Sequence, residues 1–188
     1  MCGDDHLGFC GENCRFSVPC VWYESSMLNF EKFSFSRSVG IPRKFVHLRF
    51  HSEYSVTDGI VRLDPMLEEA VRRGDVALGL TDNMNIFGGL RFFTHALADG
   101  IKPILGCDIW ITNDKKEANG DRGLPFRLTL YCMNHTGYLS LCNLLSKAWM
   151  ENQYLGRGEF RFEWFTEENC RGLICLSGGP RGILERLY

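Results

Sequence analysis

DPMLEEAVRRGDVALGLT, residues 64–81, changes its hydrophobic period once, and that change decides the fold class. Leu67, Ala70 and Val71 recur at helical spacing, Pro65 sits in the first turn where its missing N–H is no loss, and Gly74 marks the stop. Asp64 is the expected cap of this helix. Residues 76–81 then run apolar without a break, as a strand buried on both faces does.

The same grammar continues on both sides. FVHLRF (45–50) is an expected strand before the helix. FGGLRFFTHALADG (87–100) is a second helix ending at Gly100, and KPILGCDIWIT (102–112) returns to strand chemistry. A polar connection, 113–125, leads to the strand FRLTLYCM (126–133), the amphipathic helix TGYLSLCNLLSKAWMEN (136–152) and the buried strand GLICLS (172–177). Strands alternating with helices need crossovers, which predicts an α/β fold with a largely parallel sheet or barrel and functional groups at the strands' C-terminal ends. Residues 1–44 hold no sustained period and are expected to form a disordered N-terminal extension; residues 45–188 form the domain.

With 188 residues, 45% hydrophobic and 13% aromatic, the chain can bury one core. A net charge of -2 gives no basic field, so any contact with nucleic acid is local or made through other parts of a larger assembly. There is no apolar run of about 18 residues and no basic leader before an apolar core, which leaves the cytoplasm as the default compartment and no membrane partner. Of the nine cysteines, Cys107, Cys132, Cys142, Cys170 and Cys175 lie in apolar segments and are expected as buried thiols. Cys10, Cys14 and Cys20, beside His6, lack a paired Cys-x-x-Cys spacing and make a weak case for zinc.

FVHLRFHSEYSVTDG (45–59) carries the candidate chemistry. On a strand, His47, Arg49 and His51 share a face. Residues two apart are about 7 Å from each other and residues four apart about 13 Å, so His47 and His51 cannot share one ion. Position 49 could pair with His51, but arginine has no lone pair to give a metal. Asp58 follows this strand, Thr81-Asp82-Asn83 follows the next, Asp108 lies in the third and Arg127 in the fourth. In a parallel α/β architecture they converge on one cleft rich in salt-bridge partners. Each has a plainer reading. Asp82 serves equally as a cap, Asp58-Gly59 is a turn signal, and His47, His95 and His135 suit surface or hydrogen-bonded structural histidines. Gly178-Gly179-Pro180-Arg181-Gly182 reads as a turn more readily than as a phosphate cradle, and Arg72-Arg73 as a solvated helix face.

FVHLRFHSEYSVTDG, ALGLTDNMNIFGGLRFF, GIKPILGCDIWI, LTLYCMNHTGYLSLCNLLSKAW and GLICLSGG, in this order and spacing, resemble the N-terminal part of the bacterial DNA polymerase III alpha subunits. The resemblance runs from Phe45 to the end. It implies a polymerase and histidinol phosphatase (PHP) domain, a distorted β/α barrel of which this chain holds a part, whose active relatives bind a cluster of divalent metals and cleave phosphoesters. The family's ligand positions fall on Arg49 and His51, on Asp82 and Asn83 after Thr81, on Asp108 and on Arg127. Three histidines are thereby replaced, two of them by guanidinium cations that repel metal. The resemblance therefore implies a vestigial site of Arg49, His51, Asp58, Asp82, Asn83, Asp108 and Arg127, with no metal, no catalytic residue in this segment, and Arg49 and Arg127 expected to pair with Asp82 and Asp108.

The family's full subunit is a DNA-directed DNA polymerase, a magnesium-dependent nucleotidyltransferase of DNA replication. This chain has no Asp-x-Asp to house that chemistry, and is expected to be a fragment of such a subunit with its start at Met27 or nearer Phe45. Implied partners are the proofreading exonuclease and other replicase subunits, with DNA met through the rest of the subunit. The competing readings are a free-standing metal-dependent phosphoesterase or proofreading exonuclease, which needs the replaced histidines, and a gene remnant with no role of its own.

Overall fold

The computed structural model describes residues 45–115, 122–179 and 182. The expected extension, residues 1–44, and its cysteines lie outside the described residues. The elements are α1 (Leu63–Arg73), β1 (Ala77–Leu80), α2 (Gly89–Ala98), β2 (Lys102–Ile111), β3 (Phe126–Cys132), α3 (His135–Glu151), a two-stranded hairpin of β4 (Gln153–Tyr154) and β5 (Arg157–Gly158), and β6 (Leu173–Leu176).

The first helix ends as its sequence dictates, with Gly74 at φ 72° in the left-handed region. Its start differs. Arg62 holds the cap position without a side-chain cap bond, and Asp64 instead receives Arg91 and His95 from α2. The carboxylate is better used tying two helices together than closing one turn. Arg72 and Arg73 pair with Glu69 on the solvated face.

The four-stranded sheet has the order β1-β2-β3-β6. β1 and β2 are parallel, but β2–β3 and β3–β6 are antiparallel, which corrects the expectation of a largely parallel sheet. β3 returns beside β2 with Asp108 opposite Thr129 and Trp110 opposite Arg127, a pairing that needs no crossover helix. After α3 the chain makes an additional pass: Phe160 bridges Ile111, and Gly172 then comes beside Met133, so that β6 starts where β3 ends.

The helices cover one face. Leu63, Leu67, Leu78, Leu80 and Phe92 form a core under α1 and α2, and Ile109, Leu128, Leu130, Leu141 and Phe160 form a second under α3. Strand alternation turns the other residues, Asp108, Trp110, Arg127, Thr129 and Tyr131, to the opposite face. The free thiols follow this layering. Cys107 and Cys132 are buried, Cys142 and Cys170 half-buried and Cys175 exposed on the thinly covered β6, so the expectation of five buried thiols holds for two.

FVHLRF is not a regular strand. It lies along β1 with one parallel bridge, His47 to Leu78, and Gly79 and Thr81 donate to the carbonyls of His47 and Phe50. The Phe50 N–H donates to the Thr81 hydroxyl, and that side-chain partner interrupts a regular ladder. Leu48 is exposed, its carbonyl accepting from the Tyr131 hydroxyl.

Candidate functional site

Asp108, fully buried, is the centre of the site. Its Oδ2 accepts from Arg49 Nε at 2.7 Å and Nη2 at 2.6 Å, and lies 2.8 Å from His51 Nε2. Its Oδ1 accepts from the Thr129 hydroxyl at 2.5 Å. Arg127 Nε stands 4.0 Å from Oδ2, with its guanidinium 4.7 Å from the centroid of the Trp110 ring. Burial would raise the Asp108 carboxyl, but the hydrogen bonds from His51, Arg49 and Thr129 outweigh it and hold the group below its ordinary value. Tyr131, beneath this carboxylate, is pushed up to about 12 by burial and then by the Asp108 charge.

The other nitrogen of His51, Nδ1, faces Asp58 Oδ2 at 3.0 Å. An imidazole between two carboxylates donates to both only when it carries two protons. Asp58 is thus drawn from its turn into the site.

Asp82 is placed differently from expectation. Its oxygens accept from the Ser52 N–H at 2.6 Å, the Ser52 hydroxyl at 2.8 and 3.0 Å, and the Ser55 hydroxyl at 2.8 Å. The donors to its two oxygens are serines where arginines were expected. The carboxylate caps the turn that follows the first segment, and the Ser55 hydroxyl also accepts from the Asn83 N–H. Asn83 bridges Asp108 through the backbone, while its buried Oδ1 has no hydrogen-bond partner among the described residues. Met84, at φ 56°, completes the bend, its N–H donating to the Asp108 carbonyl and its own carbonyl receiving the Trp149 indole.

The structure therefore brings Arg49, His51, Asp58, Asp108 and Arg127 together, and sets Asp82 and Asn83 one layer behind. His47 lies edge-on to Phe45, and His135 stacks on Tyr138. Gly178, at φ 78°, closes a turn against the Arg127 backbone, where a Cβ would stand 2.2 Å from the carbonyl oxygen. Thr129, Ser52 and Ser55 were not singled out from the sequence. Thr129 becomes visible only through the antiparallel register of β2 and β3, and the serines only once their turn is known.

A depressed carboxylate has a definite pH signature. Asp108 contributes stability above its unfolded value of about 3.9, and loses it as pH falls through the lower folded value. Urea midpoints of the parent and Asp108→Asn are expected to differ near neutral pH and to converge below about pH 4. A gap that persists unchanged at the acid end would contradict the ionised role.

The sheet with helices on one face, and a carboxylate cluster at the end of β1 and the middle of β2, define a class. The family model described as PHP domain matches residues 47–188, and the chain belongs to that family. Among curated proteins it is 38% identical over 142 residues to the DNA polymerase III subunit alpha of Pseudomonas fluorescens, covering 76% of this chain and 12% of that protein. It is 41% identical over 139 residues to the DNA polymerase III subunit alpha of Pasteurella multocida, covering 74% and 11%. The chain thus spans about one eighth of the length of the curated relatives it matches. A solved amidohydrolase from Chromobacterium violaceum aligns at TM-score 0.41 and 19% identity over 55% of this chain and 32% of that one.

Active members of the family imply a divalent metal cluster, and the residues present do not fit one. Both oxygens of Asp108 and of Asp82 are occupied by donors, both nitrogens of His51 face carboxylates, and two guanidiniums, those of Arg49 and Arg127, stand beside Asp108. Among the described residues no group of three or more His, Cys, Asp or Glu side chains is arranged to hold an ion. The Asn83 Oδ1 is one neutral oxygen, too little for a site. No helix among them is long and apolar enough to cross a membrane.

Proposed function

We propose that this chain is the PHP-domain segment of a replicative DNA polymerase III alpha subunit, and that its site has become an ionic lock serving as scaffold and docking platform. The observation that carries this reading is the saturation of Asp108 by Arg49, His51 and Thr129. Guanidinium charge replaces metal charge at Arg49 and Arg127, which keeps the buried carboxylate paired and the cluster of Arg49, His51, Asp58, Asp82, Asn83, Asp108 and Arg127 closed. DNA-directed DNA synthesis, with its magnesium ions and its DNA contacts, would belong to the rest of the full subunit, in the cytoplasm. A phosphoesterase would need open ligand positions, which the paired carboxylates do not offer.

The partner of this platform is the proofreading exonuclease subunit, as the resemblance implies. The chain extended to a complete PHP domain is expected to capture purified exonuclease of the same replicase in a pull-down. No association would remove the docking role.

A further inference from the structure

Glu159 is, with Asp82 and Asp108, a fully buried carboxylate, and the site above makes no use of it. Its Oε2 accepts from Arg122 Nη2 at 2.6 Å and from the Thr112 hydroxyl at 3.2 Å, and its Oε1 from Arg157 Nη2 at 2.8 Å. Asn152 fixes the backbone of Glu159 and the same threonine. The arginines are not hidden with it: side-chain exposure is 22% for Arg122 and 36% for Arg157.

Aromatic rings alternate with these cations. Arg122 lies 4.7 Å from the centroid of Tyr154, at the open hairpin, and Arg157 lies 5.2 Å from that of Trp110, whose ring also faces Arg127. At the hairpin end, two guanidiniums, Arg122 and Arg157, share the single buried carboxylate Glu159, which leaves one positive charge in excess among these three groups. Arg157 Nε adds an independent sign: it is buried and meets no acceptor among the described residues. A buried donor of this kind is normally satisfied, so an acceptor belongs beside it.

We propose that Arg122, Arg157 and Tyr154 form a contact site for single-stranded DNA, the guanidiniums taking backbone phosphates and the tyrosine stacking on a base. Planar guanidiniums pre-oriented by a carboxylate suit phosphate oxygens. An aromatic face accepts any unpaired base, whereas a duplex keeps its bases stacked away from it. Glu159 is the positioning residue that aims both arginines. This inference rests on the replicase reading and places the strand at the hairpin, away from Asp108.

The test uses the full 188-residue chain and a fluorescein-labelled oligothymidylate, followed by fluorescence anisotropy across a salt series. Two engaged phosphates predict a slope of log affinity against log salt of about -1.4, at about -0.7 each. Arg122→Gln should halve that slope, and Tyr154→Ala, at an exposed position, should weaken binding about fivefold or more with the circular dichroism unchanged. Arg157→Lys, which keeps the charge on Glu159 balanced, should weaken it too. Absence of salt-dependent binding, equal binding of a blunt duplex, displacement by an equivalent concentration of inorganic phosphate, or no effect of either Tyr154→Ala or Arg122→Gln would each overturn the proposal. Exonuclease capture is read separately, so a domain that docks the exonuclease but ignores the strand loses this inference alone.

Discussion

Asp108→Ala is expected to lower folding stability by about 3–5 kcal/mol in urea titration, the range for removing one member of a buried ion pair. The carboxylate is fully buried, and its loss would take the acceptor from His51 Nε2 and the nearby negative charge from Arg127, both side chains being 13% exposed. Arg49, at 48% exposure, can turn to water and should contribute little to the penalty. Arg49→Ala is accordingly expected to be much milder than Asp108→Ala. Thr129→Val, which removes only the hydroxyl donating to Oδ1, should cost about 1–3 kcal/mol. A ranking in which Arg49→Ala exceeds Asp108→Ala would mean that the carboxylate is not the hub.

The second large effect is steric. A Cβ on Gly79 would stand 1.9 Å from the Leu48 carbonyl oxygen and 2.6 Å from its carbon, both backbone atoms that no rotamer change can move. Gly79→Ala therefore forces the 45–50 segment off β1, and that segment carries Arg49 and His51 to Asp108. Overpacking of this kind costs about 3 kcal/mol. The distinguishing readout is hydrogen exchange: the Gly79 and Thr81 amides, which donate to His47 and Phe50, should lose protection while α3 keeps its own. Uniform loss across the domain, or none, would contradict this docking of the first segment.

Local elements were legible because local chemistry fixes them. The periods of 64–74, 87–100 and 136–152 gave helices at α1, α2 and α3, and Gly74 ended the first where its left-handed backbone allows. The apolar run at 76–81 gave β1, buried throughout its length. What escaped depends on non-local choices. The alternation of strands and helices implied parallel pairing, but direction is set by how the connections pass, and the passage through Phe160 between α3 and β6 has no period to announce it.

The site divides in the same way. That Arg49 and Arg127 would meet carboxylates was an expectation from the family spacing, and Asp108 is the carboxylate beside both; the bond from His51 to Asp108 had no sequence signal. Nor had the partners of Asp82. Serines at 52 and 55 look like turn residues in any sequence, and their hydroxyls satisfy a buried carboxylate only because the first segment ends in a tight turn above it. Asp64 shows the converse: a good cap residue by position was recruited by Arg91 and His95 of the neighbouring helix. Glu159 and Arg122, 37 residues apart, had no sequence signal to join them.

The central claim, that ionic pairing at Asp108 stands where the family's metals would be, is tested most directly by metal analysis of the purified chain after dialysis against manganese and zinc. Inductively coupled plasma mass spectrometry is expected to find well under one equivalent of either ion, with the melting temperature unchanged by chelator. One or more equivalents retained, and lost in an Asp108→Asn or His51→Ala variant, would contradict the account.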